Sequence, residues 1–521
     1  MRHAFPRPTW PLAVLAMAAL AAPVSAQTAG ATQAPGTIRR LSVDEAVALA
    51  LEQNLGIQID RLNPQIQELS IAQARTFSVP TLTSGLTNSS QNSPSTSALA
   101  GGREKITDSK FSSQFGLAQV LPTGADYSIS WNSFRSTSTN LYNSYQPLIN
   151  SGLAMSFTQP LLRNYKIDTN RQVLETSRKD REAADVQLQS TIAVTRRDVK
   201  NAYWDLTYQI ENLKAQQQSL DLAKRLLADN EKRVQIGTMA PIDIVEAQSE
   251  VARNEEVVIV AEAGIKQAED RLRALIFDPA MPDFWSVVLE PTESLPFAPQ
   301  SIDTNAAIQR AISNRTDVQL AKNNLAKTDI NIRYFHNQAL PDVSAQAAYQ
   351  SNAAGGSLLS PLVSFPSGGG NRTVVSRTGF GSVLGDVLSG TYPTWTFGLT
   401  VSYPIGSSAS EANLARARLQ RSQAEAQLRN LELDIATQVR DAARQVQTNQ
   451  KRVDSARAAR ELAERRLEAE EKKFAAGIQI SFFVFQAQRD LSQARTNEIR
   501  ALSDFNKSLV SFDAVQETVL R

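Results

Sequence analysis

The sequence predicts an α+β membrane protein built from two internal repeats, in which low-charge strand regions are inserted between helices, one of them very long. Three observations predict it. A short glycine turn occurs twice, in KRVQIGTMAPIDIVEAQ around Gly237 and in KKFAAGIQISFFVFQAQ around Gly477. Residues 81–160 and 342–407, rich in Ser and other small residues, hold only seven and four charged side chains, whereas residues 408–476 hold 25. From Asp168 through Ile236 run 69 residues without Gly or Pro, longer than any globular helix requires.

Composition narrows the function classes. The formal net charge of +2 gives no argument for nucleic acid. The chain has no Cys and only His3 and His336, which removes thiol catalysis, Cys-ligated metal and His-based metal or triad sites; no cofactor is expected. At the N-terminus, Arg2 and Arg7 precede an apolar run from Leu12 to Ala22, and Val24-Ser25-Ala26 has the small-residue pattern of a cleavage site. Residues 1–26 read as a secretory signal peptide, too short to span a bilayer as a helix, which takes about 20 apolar residues. No later segment is longer, so any membrane role must use strands.

Residues 27–40, rich in Ala, Thr, Gly and Pro, are expected to form a mobile lead-in. Repeat 1, residues 41–277, opens with a capping pattern at Ser42 and Glu45, and apolar residues at helical spacing predict a helix over 42–79, with an irregularity near Asn63-Pro64 and a stop before Pro80. In the strand region 81–160, Phe111, Phe115, Leu117 and Val120, then Tyr127, Ile129 and Trp131, then Leu153, Met155 and Phe157 alternate with small polar residues. That pattern suits barrel strands with one face to lipid and one to water, and Trp131, Phe134, Tyr142 and Tyr145 suit an interface belt. A soluble β-sandwich insert is the competing reading. Leu121-Pro122-Thr123-Gly124 marks a tight turn. A long helix over 168–236 leads to the tip 237–241, and a return helix fills 242–277.

Five prolines in 278–300 predict a non-helical linker, placed halfway along the body. Repeat 2, residues 301–521, then begins: Ser301-x-Asp303 matches Ser42-x-Asp44, Asn314 matches Asn54, Pro341 matches Pro80 and Pro404 matches Pro160. Its elements are a helix over 302–340, a strand region over 342–407, a long helix over 408–476, a tip at 477–480 and a return helix over 481–518. Two strands, Val343–Tyr349 and Trp395–Tyr403, flank a Gly- and Ser-rich loop. At 1.5 Å per residue each long helix reaches about 100 Å, matching two shorter helices laid end to end. Two hairpins cannot bury both faces of such helices, and a few strands cannot close a barrel alone, so the chain is expected to form a ring of several copies.

With these features in place, the chain closely resembles the TolC-type outer membrane efflux protein family. The resemblance rests on the duplicated element order, the repeat openings LSVDEAVALALEQN and SIDTNAAIQRAISN, the strand exits SFTQP and VSYP, and the Gly-containing tips, and it covers Leu41 to about Val519. It implies a homotrimer whose strands, at least four per protomer, form a β-barrel in outer-membrane lipid. A periplasmic α-helical coiled-coil barrel continues it. The implied function is the exit duct of a tripartite efflux pump or type I secretion system, with a periplasmic adaptor and an inner-membrane transporter as partners. Family members give four strands per protomer; a hairpin over 111–134 would be additional, and both places for it, inside the barrel wall and outside it, fit the sequence.

The resemblance also places the periplasmic gate six and nine residues after each tip glycine. These positions are Asp243 and Glu246 in the first copy and Phe483 and Gln486 in the second, where some members carry acidic residues. Gln479 stands where some members have an Arg. A closure leaning on Phe482, Phe483 and Phe485 follows, with Phe483 as a ring that gates by dewetting; the same phenylalanines also suit simple packing of the hairpin. Adaptor docking is assigned to Gly237, Thr238, Pro241, Gly477 and Ile478. No phosphate-binding loop or nucleophile elbow is present, so an enzyme is not expected. A surface adhesin or coiled-coil rod explains the helices and the leader but not the strand regions inside each repeat.

Overall fold

Four stretches of chain, 38–95, 104–361, 372–406 and 408–516, are described by the computed structural model. The signal peptide and its cleavage site fall outside them. The first repeat runs β1 (Ile38–Leu41), α1 (Val43–Gln53), α2 (Leu55–Arg75), β2 (Thr81–Pro94), β3 (Lys105–Val120), β4 (Asp126–Ser138), β5 (Tyr145–Pro160), α3 (Thr169–Gln235) and α4 (Ile242–Ile276). After β6 (Val288–Pro291), the second runs α5 (Thr304–Asn314), α6 (Thr316–Gln338), β7 (Asp342–Leu359), β8 (Val374–Thr378), α7 (Phe380–Ser389), β9 (Pro393–Ser402), α8 (Ala409–Ala475) and α9 (Ser481–Gln516).

The opening helix of each repeat is two helices, not the single ones expected over 42–79 and 302–340. Ser42 and Glu45 form a reciprocal capping box at the start of α1, with bonds of 3.2 and 2.9 Å. The break comes at Asn54, whose extended backbone ends α1 while its side chain accepts the Ile57 N–H at 3.1 Å and donates to the Leu275 carbonyl at 3.0 Å. A cap satisfied on both sides makes this break cheap. The irregularity expected at Asn63-Pro64 does not break the helix, and Pro64 lies inside α2. In repeat 2 the break is at Arg315, between α5 and α6.

Each long helix, α3 and α8, has 67 residues and rises about 100 Å. Helix α3 packs along α2 and α6 in the half near the strands and along α4 and α9 in the half near the tips, so shorter helices do lie end to end against a long one. Halfway along, β1 and β6 pair in parallel. This corrects one expectation: residues 38–40 of the lead-in join Leu41 in an ordered strand, whose partner β6 lies in the Pro-rich linker, which is non-helical as expected. Both seat on a core of Leu41, Val47, Val199, Tyr203, Leu272, Ile276 and Leu289. The fully buried Tyr203 is the joint: its hydroxyl donates to the Leu41 carbonyl at 3.1 Å and accepts the Glu293 N–H at 3.2 Å, and burial holds its phenol above the usual pKa. Repeat 2 has a matching core around Ile435, Val439, Val446 and Phe505.

At the far end the long strands form one antiparallel sheet in the order β2-β3-β4-β5-β7-β9, with β8 beside the outer part of β7. The hairpin of β3 and β4 is a full member of this sheet, paired on both sides. The segment expected as a Gly- and Ser-rich loop is largely ordered: β7 extends to Leu359, and β8 and α7 follow, while 362–371 lie outside the described residues. Because successive side chains point to opposite faces, the registers sort the sheet. One face carries Leu82, Leu86, Phe115, Ile129, Trp131, Leu153, Met155, Phe157, Tyr349, Trp395, Phe397 and Leu399; the other carries mainly Thr, Ser, Asn and Gln, including Thr83, Gln114, Asn132, Asn150, Gln346 and Thr400.

Loss of the Tyr203 hydroxyl should cost about 1–3 kcal/mol, chiefly because the Glu293 N–H loses its partner, the Leu41 carbonyl keeping its bonds from Thr292. In Tyr203→Phe, amide exchange of residues 38–41 should quicken while helical circular dichroism is retained; unchanged exchange would show that the joint is held by packing alone.

Candidate functional site

The tips are built alike from the residues up. A cation pair closes each long helix, Lys232 and Arg233 on α3 and Lys472 and Lys473 on α8, where the carbonyl end of the dipole favours positive charge. Gly237 and Gly477 then take left-handed backbone, with φ of +77° and +72°. Thr238 N–H returns to the Arg233 carbonyl at 2.9 Å and Ile478 N–H to the Lys473 carbonyl at 3.0 Å, the Schellman closure in both copies. A Cβ on either glycine would meet nothing within 4 Å, so the positive φ, and not lack of room, requires glycine here. The five positions expected for docking, Gly237, Thr238, Pro241, Gly477 and Ile478, are all exposed, Ile478 at 76 %. Ile236, Ile242 and Ile480 are exposed around them.

Beneath the turns, Leu226 and Ala247 of the first hairpin pack with Leu467, Phe474, Val484, Phe485 and Leu491 of the second. The three phenylalanines expected to act together are separated. Phe485 is buried in this core, whereas Phe482 and Phe483 are 47 % and 38 % exposed and meet edge to face at 5.6 Å. Asp243 and Glu246 lie in the first turns of α4, Asp243 half-buried and Glu246 exposed, where the amino end of the helix favours negative charge. Gln486 is half-buried on α9, three residues beyond Phe483. Gln479 donates to Glu470 at 3.2 Å within its own hairpin, and the Lys473 ammonium bonded to Glu470 is the main cause holding that carboxyl below its usual pKa.

A contact between the repeats was missed by the sequence reading. The Arg233 guanidinium lies 4.4 Å from the centre of the Phe474 ring and donates to the Phe474 carbonyl at 3.3 Å, joining hairpin one to hairpin two. The signal was present in the aligned tips, where KRV and KKF put an Arg in one copy and an aromatic in the other. Such a pair contributes roughly 0.5–2 kcal/mol. A double-mutant cycle of Arg233→Ala and Phe474→Ala should give a coupling of that size in thermal unfolding; strictly additive effects would remove the contact as a tie between the hairpins.

Neither a metal-binding cluster nor a helix apolar enough to cross a membrane occurs among the described residues. No curated protein sequence matches the chain. Solved structures do match its fold. A membrane protein from Pseudomonas aeruginosa is 16 % identical with a TM-score of 0.64, and covers 91 % of this chain and 92 % of its own. CusC is 13 % identical with a TM-score of 0.63 over 91 % and 92 %. The CmeC outer membrane channel of Campylobacter jejuni is 13 % identical with a TM-score of 0.63 over 92 % and 86 %. The outer membrane efflux protein family matches residues 46–276 and 307–515, taking in both repeats. The chain therefore belongs to the outer membrane efflux protein family, whose members are transport ducts of the outer membrane with a periplasmic helical barrel, and not enzymes.

Proposed function

We propose that three copies of the chain close into the exit duct of a tripartite efflux pump or type I secretion system, a passive channel opened when a periplasmic adaptor and an inner-membrane transporter engage the helical tips. The observation that carries this reading is the two-faced sheet with two bare edges. Strands β2 and β9 end the run of long strands, and among the described residues their outer backbone groups have no strand partner. Unpaired backbone in lipid costs several kcal/mol per group, so the edges must meet in another copy. Their directions allow it: β2 leaves the helical end and β9 returns to it, so β9 of one copy meets β2 of the next antiparallel. The six long strands are an even number, and the ring therefore closes without a parallel pair. The apolar face turns to outer-membrane lipid and the Ser-, Thr- and Gln-rich face lines a wet lumen.

The helices support the same closure. On α2, Leu55, Ile59, Leu62, Ile66 and Leu69 form an exposed apolar stripe at helical spacing, Leu69 at 71 %. A neighbouring copy would bury it. At the tips, the bare turns at Gly237 and Gly477, with Thr238, Pro241 and Ile478, offer backbone and small or apolar side chains to an adaptor. Asp243, Glu246, Phe483 and Gln486 form the gate, with the exposed Phe483 ring as its apolar part.

Because the chain has no native thiol, introduced pairs report cleanly. Leu86→Cys on β2 combined in turn with Trp395→Cys, Phe397→Cys or Leu399→Cys on β9 should give inter-chain disulfides in one register; no covalent linkage in any pairing would sink the closure. Phe483→Ala should raise closed-state conductance in planar bilayers, and an unchanged conductance would leave Phe483 with hairpin packing alone. Gly237→Phe should abolish capture of an adaptor while oligomers persist, whereas loss of the oligomer would make the turn a folding element.

A further inference from the structure

Helix α7 has no counterpart among the described residues of repeat 1 and was not expected from the sequence. It lies on the apolar face of the sheet, not on the polar one. Val383 and Val387, 0 % and 1 % exposed, pack on Ala353 of β7 with Ile149 and Leu153 of β5, all of them apolar-face residues by register. Phe380 meets Trp131 of β4 edge on at 6.4 Å.

The sheet beneath is shaped to receive it. Ser133, Ser151 and Ser351 interrupt the apolar face at this level, each 5 % exposed or less. Ser351 donates to the Val387 carbonyl of α7 at 2.9 Å, Ser151 accepts the Trp131 indole N–H at 2.8 Å, and Ser133 donates to the Asn150 carbonyl at 3.0 Å. Small residues make room for the helix, and each of these three hydroxyls is bonded.

Depth along the strand places the helix. Ser351 is the tenth residue of β7 counted from the helical end, and a tilted strand crosses a bilayer in about 9–11 residues. Phe115, Trp131, Tyr349 and Trp395 lie at or just below that level on the same face, the position of an aromatic girdle. The outward side of α7 and its flanks expose Val375, Phe380, Leu388 and Tyr392, Leu388 at 71 %, and Asp386 is the helix's single charge.

We infer that α7 is a membrane-lying helix, seated on the outer wall of the barrel at the outer-leaflet boundary, with Leu388 and its neighbours in contact with lipid acyl chains. The inference rests on the outer-membrane barrel proposed above. It gives the wall a thickened collar over β5 and β7, far from the helical tips. Such a helix adds apolar area at the interface without adding a strand.

Nitroxide labels on single cysteines in proteoliposomes of an outer-membrane-like lipid mixture test it. Labels at Leu388→Cys, Leu399→Cys and Thr400→Cys report α7, the apolar strand face and the polar strand face. Collision with oxygen should exceed collision with a water-soluble nickel complex at Leu388 and Leu399, and the ratio at both should stand several-fold above that at Thr400. Nickel preference at Leu388 with Leu399 still in lipid would overturn the inference and put α7 in water. Shielding of Leu388 from both probes would overturn it in favour of a protein cover. Nickel preference at Leu399 as well would instead overturn the barrel itself. Leu388 is exposed, so the substitution leaves the packing of Val383 and Val387 intact.

Discussion

A sheet in hydrocarbon cannot leave backbone donors and acceptors unpaired, and most of this structure follows from that requirement. Among the described residues of one chain the long strands end at β2 and β9 with both outer edges bare. In the proposed ring these edges are satisfied by neighbouring copies, and an even strand count keeps every pairing antiparallel. The β3–β4 hairpin preserves that parity because it adds two strands together. It also makes the sheet broader than four strands per protomer, and barrel width grows roughly with strand number.

The helical part is tied to the same end of the sheet. Chain passes from α2 into β2, from β5 into α3, from α6 into β7 and from β9 into α8, all at one end of the strands. Four helices therefore leave the sheet side by side and continue its wall. Helix ends in both repeats are fixed by cheap local chemistry, caps at Ser42 on α1, Asn54 on α2, Asp168 on α3 and Ser408 on α8, and left-handed glycines at the tips. Midway, the β1–β6 pair and Tyr203 clamp the junction where shorter helices meet end to end. At the tips the two hairpins are held by an apolar core and the Arg233–Phe474 contact. These parts are stapled at three levels by different chemistry, so tip contacts can be loosened without disturbing the joint at Tyr203.

Legibility in the sequence followed locality. The glycine turns and the uninterrupted run from Asp168 to Ile236 are local signals, and α3 and both tips could be placed from them. The Asn54 break was hidden because Pro64, the louder residue, is tolerated inside α2 while Asn54 acts through a bond to Leu275, more than 200 residues away. Strand β2 has only Leu82 and Leu86 as large apolar residues, so its pairing with β3 defines it more than its own pattern. Gly355 in β7 mimics a loop, because its reason lies in a neighbour: Val383 would crowd a Cβ there at 2.5 Å. For the proposed gate, the family resemblance named Asp243, Glu246, Phe483 and Gln486, but burial of Phe485 away from Phe482 and Phe483 required the packed core.

The central claim is that the chain is incomplete alone and closes in threes. Native mass spectrometry of the full-length protein released from lipid nanodiscs tests this directly. The account predicts a single species of three copies and no folded monomer. A monodisperse monomer that retains the strand signal in circular dichroism would contradict it, since bare edges at β2 and β9 would then be stable in lipid.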